Sequence, residues 1–304
     1  MSYSFSIVIP TCNRDQQLAQ LIESLIISIK LIEGHSEWEI IVTDDSTNLK
    51  TKKFIKANFP KVSWHKGPQK GPGANRNSGV NFAKNKWLVF VDDDCVVNEN
   101  FMLGYFNLCK TVPHNVLEGK IICPNKRNSI FVRQPENDKG GVLASGNFAI
   151  KKSLFIEIGG FDEDLLIMED IDLANRIRKE NQEIVFCEDS IAFHPAQLKS
   201  ISFYWSWIFH FKWQLLLNYK NGSRNIKEGY FQSMVTTVHN HILFLLRITY
   251  HLITKFDRDR WIMYSFERAL AWITLPISIA HLIYWNNQFR SKIQLEQIKI
   301  RSTQ

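Results

Sequence analysis

Short β-branched, apolar runs alternate with segments of helical spacing from the N-terminus to Asp94. The apolar runs at 5–9, 39–43, 62–65 and 87–91 predict β-strands, and the segments at 16–32, 51–58 and about 74–84 predict helices. Strands that alternate with helices in this way indicate βαβ units. The pattern therefore predicts an α/β fold with a doubly wound, mostly parallel sheet.

The later part of the chain is less regular. Residues 67–73 are rich in Gly and Pro and predict a loop, and the polar segment at 123–141 predicts a long connection. A second structured block follows at 142–194, with helical spacing at 170–179. Because the composition changes beyond Lys199, we predict one domain over 1–198, with halves of about 1–97 and 98–198, and a separate helical region over 199–304.

Composition narrows the class of protein. The chain has 304 residues, 45% of them hydrophobic, so it can bury a sizeable core. The apolar run at 1–11 has no basic segment before it and predicts a β-strand, not a signal peptide. The five cysteines form no CxxC pair, which argues against a disulfide framework or a zinc site and favours a reducing cytosol.

Positive charge is concentrated in the C-terminal region. Residues 199–304 carry 14 Lys and Arg against 5 Asp and Glu, whereas residues 1–198 carry 23 against 25. The same region holds six of the nine tryptophans. Basic residues mixed with large aromatics suit an anionic membrane surface. Long uncharged stretches make nucleic acid the less favoured partner.

Two segments of this region predict how it would meet a membrane. Apolar residues at helical spacing over 242–258, with basic residues on another face, predict an amphipathic helix. Residues 269–285 contain no Asp, Glu, Lys or Arg, but Pro276 and His281 interrupt them, and a spanning helix needs about 20 apolar residues. We therefore predict an interfacial anchor rather than a spanning or re-entrant hairpin. Packing of these aromatics on the first domain or on a second copy is the alternative.

Acidic residues follow two of the predicted strands. Asp44 and Asp45 come after the strand at 39–43, and Asp92, Asp93 and Asp94 come after the strand at 87–91. In an open parallel sheet, ligands bind at the carboxyl ends of the strands. Three consecutive carboxylates repel one another unless a cation or a basic side chain lies nearby. A hard divalent cation such as Mg²⁺ or Mn²⁺ would neutralise these carboxylates. The alternative is that the aspartates cap the helices that follow.

A series of motifs resembles the family 2 glycosyltransferases with a GT-A fold. The motifs are SIVIPTCNR at 6–14, IIVTDDS at 40–46, GPGANRN at 71–77, VFVDDD at 89–94, GNF at 146–148, IGGFD at 158–162 and EDIDL at 169–173. Their order and spacing are more specific than any one of them. The resemblance covers about the first two-thirds of the chain and leaves the C-terminal region outside.

The resemblance implies a nucleotide-sugar donor, with UDP-, dTDP- and GDP-sugars left open. The residues that it assigns to this donor are Pro10, Thr11, Asn13, Arg14, Asp44, Asp45, Arg76, Asp92 and Asp93. Asp45 is expected to accept a hydrogen bond from the base. Arg76 is expected to face the nucleotide or its phosphates, and a solvated helix residue is the alternative.

The same resemblance implies a metal and a base. Asp92 and Asp94 match the family's DxD motif, which holds Mn²⁺ or Mg²⁺, and His194 stands where a histidine often completes the metal shell. The metal neutralises the departing nucleoside diphosphate. Asp170, with Glu169 as second choice, is the expected general base of an inverting transfer. The alternatives are that His194 has a structural role and that Asp170 and Glu169 cap the start of a helix.

These observations predict a cytoplasmic glycosyltransferase, peripheral on the inner face of the cell membrane. Its acceptor is expected to be a hydroxyl of a cell-surface glycan or of a lipid-linked glycan. One alternative is a glycosyltransferase whose acceptor is a polyprenyl phosphate. The others are a nucleotidyltransferase, a receiver module and a non-catalytic sugar-nucleotide-binding protein. Residues 123–141 match no motif, so the sequence does not predict the acceptor's identity.

Overall fold

A computed structural model describes residues 3–111, 114–124, 132–133 and 135–198, together with scattered positions between 213 and 288. The chain divides into two compact units, Met1–Leu198 and Lys199–Gln304. In the second unit the described positions are helical, and the predicted amphipathic helix at 242–258 lies outside them. Within the described part of the chain, every helix is too short or too polar to cross a membrane.

The first half of the Met1–Leu198 unit follows the predicted alternation. Its elements are β1 (Tyr3–Thr11), α1 (Asp15–Ile29), β2 (Ser36–Asp44), α2 (Lys50–Asn58), β3 (Ser63–Lys66), α3 (Pro72–Val80) and β4 (Trp87–Val91). Helix α3 ends four residues earlier than its predicted end at Lys84. Beyond the helix, Lys84 N donates to Glu39 on β2 and Asn85 N donates to Ser6 Oγ on β1. These backbone N–H groups therefore bond to strand side chains and not to carbonyl groups of a continued helix.

The second half is built differently. Its elements are β5 (Val96–Val97), α4 (Phe101–Thr111), β6 (Val116–Ile122), β7 (Val132–Arg133), β8 (Asn147–Lys151), α5 (Lys152–Glu157), α6 (Glu169–Lys179), β9 (Ile184–Phe193) and β10 (Gln197–Leu198). Helix α6 begins one residue before the predicted 170. Strands β7 and β10 form a separate antiparallel pair.

One eight-stranded sheet runs through the unit in the order β3-β2-β1-β4-β8-β6-β9-β5. The four strands from β3 to β4 are parallel, as predicted. Strand β8 is antiparallel to both β4 and β6, and β5 is antiparallel to β9. The prediction of a mostly parallel sheet therefore describes the first half well and the second half only at the β6·β9 pair.

Two hydrophobic clusters cover the two faces of this sheet. Helices α1 and α4 pack on one face with residues such as Leu21 and Phe101, and helices α3, α5 and α6 pack on the other with residues such as Phe155 and Leu173. Because both faces are covered, β1 and β4 are buried almost along their whole length. This explains their nearly continuous apolar runs.

Candidate active site

A cavity of about 530 Å³ opens where β1, β2 and β4 end, and it lies within the Met1–Leu198 unit. It brings together most of the residues predicted from the sequence. Those that line it are Pro10, Thr11, Arg14, Asp45, Arg76, Asp92, Asp93, Asp94, Glu169, Asp170 and His194. The cavity is thus surrounded by strand ends and by the first residues of α3 and α6.

Two predicted residues, Asp44 and Asn13, are not part of the cavity lining. Asp44 is fully buried, and its carboxylate accepts hydrogen bonds from Trp64 Nε1 (3.2 Å) and Ser46 N (2.8 Å). Asn13 is exposed with φ 56°, a backbone conformation that Asn tolerates, and its N–H donates to Ser46 Oγ (2.8 Å). Both residues shape the loops after β1 and β2 instead of facing the cavity.

Arg14 balances part of the charge of the carboxylate triplet. Its Nη1 lies 2.8 Å from Asp93 Oδ1 and 3.1 Å from Asp94 Oδ2, while about half of the side chain stays exposed. Thr11 Oγ1 donates a second hydrogen bond to Asp93 (2.6 Å). Burial raises the pKa of Asp93 to about 6, against the opposing effect of Arg14. Both oxygens of Asp93 therefore accept hydrogen bonds from the protein, whereas Asp92 is paired through Oδ1 and Asp94 through Oδ2.

Arg76 joins the end of β4 to the start of α6. Its Nη2 lies 2.5 Å from Asp92 Oδ1 and its Nη1 lies 3.1 Å from Glu169 Oε1, and the side chain is 4% exposed. The guanidinium also lies 5.5 Å from the centre of the Phe161 ring. The alternative of a solvated helix residue is therefore excluded. Arg76 is a cavity residue that holds two carboxylates at a fixed separation.

His194 and Asp94 form the arrangement that best fits a metal. His194 Nδ1 lies 3.0 Å from the carbonyl oxygen of Pro195, which can only accept, so the proton belongs on Nδ1. With that proton on Nδ1, Nε2 faces Asp94 Oδ1 at 3.3 Å and Asp92 Oδ2 at 4.0 Å. Asp94 Oδ1 is buried and accepts no hydrogen bond among the described residues.

Acceptor atoms that face one another across such a distance require a cation between them or a second proton on the imidazole. The oxygen and imidazole ligands suit Mn²⁺, and Mg²⁺ accepts the carboxylates. Cys95 Sγ also lies near Asp94 and His194. However, a sulfur ligand is soft, whereas Mg²⁺ and Mn²⁺ favour oxygen ligands. Asp92, Asp94 and His194 are therefore the candidate ligands for such a cation.

The two acidic residues at the start of α6 have different surroundings. Glu169 is buried and paired with Arg76, and burial raises its pKa. Asp170 is half-buried, lines the cavity and accepts hydrogen bonds from Ile171 N (2.8 Å) and, more weakly, Ser145 N (3.4 Å). Of these two residues, Asp170 is less buried and is therefore more accessible to a molecule bound in the cavity.

Several cavity residues were not predicted from the sequence. Gln197 Nε2 donates to Asp94 Oδ2 (3.1 Å), and Asn75 Nδ2 donates to Thr43 O (3.0 Å) behind the strand ends. Residues 144–146 and 166–168 supply further walls. Gln197 could have been suspected from its position three residues after His194. Asn75 and Gly146 belong to the GPGANRN and GNF motifs but were given no role. The others carry no local signal, because only the folding of distant segments brings them to the cavity.

Comparison with known proteins gives the family. Residues 6–161, about half of the chain, match the sequence pattern of the family Glycosyl transferase family 2. The chain belongs to this family, and the resemblance drawn from the sequence motifs is confirmed. It is a nucleotide-sugar-dependent glycosyltransferase.

Individual relatives and solved structures agree with this assignment. An uncharacterized glycosyltransferase of Haemophilus influenzae is 26% identical over 206 residues, which cover 60% of this chain and 67% of that protein. The poly(ribitol-phosphate) beta-glucosyltransferase of Bacillus spizizenii is 28% identical over 124 residues, which cover 38% of this chain and only 19% of that protein. The structure of Staphylococcus aureus TarS 1-349 in complex with UDP superposes with a TM-score of 0.54 and 17% identity, covering 96% of this chain and 92% of that one. The last similarity confirms the GT-A-like fold.

Proposed function

We propose that this chain is an inverting, metal-assisted glycosyltransferase that moves a sugar from a nucleoside diphosphate to a hydroxyl of a cell-envelope or lipid-linked glycan. One observation carries the proposal. The cation-fitting set of Asp92, Asp94 and His194 and the reachable carboxylate of Asp170 line the same cavity. A leaving diphosphate and an attacking hydroxyl need these two kinds of group around one anomeric carbon.

The donor half of the cavity supplies groups for the nucleotide. Asp45, directly after β2, already accepts a hydrogen bond from Gln69 N (2.8 Å) and lines the cavity. Arg14 is half-exposed beside the carboxylate triplet, where a guanidinium suits phosphate oxygens. UDP is the first nucleotide to test, because it is the ligand of the TarS structure.

The chemistry divides between the two sides of the cavity. Asp92, Asp94 and His194 would hold Mn²⁺ or Mg²⁺, which would supply Lewis-acid neutralisation of the charge on the leaving diphosphate. Asp170 takes the proton of the acceptor hydroxyl as that oxygen forms a bond to the anomeric carbon. The bond from that carbon to the diphosphate oxygen breaks on the opposite face, so the configuration inverts. Arg76 keeps Glu169 in place beside the base.

A panel of nucleotides tests the donor and the metal together. We expect UDP with Mn²⁺ to raise the melting temperature of the full chain by about 5 °C or more at saturating ligand, since a ligand that binds only the folded state stabilises it. UDP without Mn²⁺ should give a smaller shift. The control is UMP with Mn²⁺, which lacks the diphosphate. A panel in which no nucleoside diphosphate among UDP, dTDP and GDP shifts the melting temperature would count against the proposal.

Membrane placement is part of the proposal and rests on the composition of residues 199–304. We expect the full chain to sediment with vesicles that contain anionic lipid at low salt and to be released as salt rises, because screening weakens attraction between exposed charges. Vesicles of neutral lipid are the control. Retention of the protein in the supernatant with both kinds of vesicle would remove the membrane from the proposal.

A further inference from the structure

Glu118 is a fully buried carboxylate that lies outside the cavity. It belongs to β6, and within the described residues it accepts four hydrogen bonds from the segment 137–143. The donors are Gly141 N to Oε2 (2.5 Å), and Val142 N (2.9 Å), Leu143 N and Asn137 Nδ2 (2.7 Å) to Oε1. A buried carboxylate with this many partners has its desolvation offset by the segment that it binds.

The backbone of this segment is bent to reach the carboxylate. Gly140, Gly141 and Leu143 all have positive φ, at 74°, 90° and 52°. Consecutive backbone N–H groups turned toward one point form a concave anion-binding nest, and here the anion is a side chain of the same protein. For Leu143 this conformation is costly, so the four hydrogen bonds to Glu118 hold a shape that the segment would not adopt alone.

The same segment continues directly into the catalytic cavity. Residues 144–146 line it, and Ser145 N donates to Asp170 Oδ2 (3.4 Å). Gly146 lies so close to Asp92 that a Cβ at that position would be 2.9 Å from Asp92 Oδ2. From the other side, Arg178 Nη2 on α6 donates to Gly141 O (2.7 Å). The segment is therefore held between β6 and the helix that carries Asp170.

We propose that Glu118 is a positioning residue for sugar transfer, which sets the wall at 140–146 and through it the place of Asp170 relative to the anomeric carbon. The inference rests on the proposed function. On the donor side, Asp92 has a support outside this segment, because Arg76 binds its carboxylate. The loss of Glu118 should therefore affect catalysis and acceptor use more than donor binding.

Glu118→Gln tests the inference with little change in volume. The amide presents an NH₂ group to Gly141 N, so a donor meets a donor and the segment shifts. We expect kcat to fall about 10- to 100-fold, since small displacements of reacting groups have effects of this size, with the KM for the donor sugar and the UDP- and Mn²⁺-dependent thermal shift unchanged.

Glu39→Gln is the matched control. Glu39 likewise accepts a backbone N–H, from Lys84 (2.6 Å), and a side-chain donor, Ser6 Oγ (2.6 Å), but it is not part of the cavity lining. A merely structural role would lower the melting temperature of both variants and leave both kcat values alike. A kcat of Glu118→Gln equal to that of Glu39→Gln would overturn the inference.

Arg178→Ala keeps the inference testable if Glu118→Gln does not fold. Its hydrogen bond to Gly141 is exposed, so the fold should tolerate the change. We expect kcat to fall about 3- to 10-fold with donor KM unchanged, because the same wall loses one of two supports. An unchanged kcat in a folded Arg178→Ala enzyme would contradict the inference. Absence of transfer in the wild-type enzyme with every donor would instead contradict the proposed function.

Discussion

Asp94→Ala abolishes the Mn²⁺-dependent part of the thermal shift with UDP and lowers sugar transfer by about 100- to 1,000-fold. This is the expected result because Asp94 Oδ1 is the buried oxygen that faces His194 Nε2, and without it the ligand set has only one carboxylate left. The developing charge on the diphosphate then loses its counter-ion. The shift is measured by titrating Mn²⁺ at fixed UDP, and transfer is measured with a labelled donor sugar.

Two further variants sharpen this measurement. Asp94→Asn keeps the size of the side chain and an acceptor for Gln197, so its fold should be retained while Mn²⁺ binding is lost. Glu188→Ala removes an exposed carboxylate from β9, the strand that leads to His194, and should behave like the wild type. A wild-type Mn²⁺ titration in Asp94→Asn, or full transfer activity in thoroughly chelated buffer, would remove the metal from the mechanism.

Asp170→Asn preserves donor binding and lowers transfer by about 100- to 10,000-fold. The amide can keep the hydrogen bond from Ile171 N, so α6 should start as before, but it cannot take a proton from the acceptor hydroxyl. The UDP- and Mn²⁺-dependent thermal shift is therefore expected to match that of the wild type. Transfer is measured as initial rate at saturating donor.

Glu169→Gln distinguishes the role of Glu169 from that of Asp170. It breaks the buried ion pair with Arg76 and leaves the guanidinium with Asp92 alone, so its main effect should be a lower melting temperature. Asp170→Asn should leave the melting temperature nearly unchanged. A fully active Asp170→Asn enzyme would exclude Asp170 as the base, and Glu169 would then be the next candidate.

Much of the fold of the first half could be predicted from the sequence. The apolar runs of β1 and β4 are buried on both faces, and such strands are recognisable because burial on both sides leaves no polar alternation. The Gly-rich turn before α3 and the aspartates after β4 are local signals as well. The second half was less predictable, since β8 pairs antiparallel with β4 across a gap of more than 50 residues. No local pattern records which distant strand a β-strand will join.

By itself, the sequence determined which residues stand at the ends of strands and at the start of α6, and with them the chemistry of the cavity. These residues are the acidic triplet after β4, the acidic pair that begins α6 and His194 after β9. Side chains at a strand end are placed by their own strand, so short-range patterns suffice. The tertiary structure alone decided that Asp45 faces the cavity while Asp44 turns to Trp64.

It also decided the long-range pairings of the site. Arg76 lies between Asp92 and Glu169, and Glu118 holds the segment that reaches Asp170. These contacts join residues far apart in the chain. Their geometry follows from the packing of α3 and α6 against the sheet, because a side chain's partners depend on which surfaces meet and not on its neighbours in sequence.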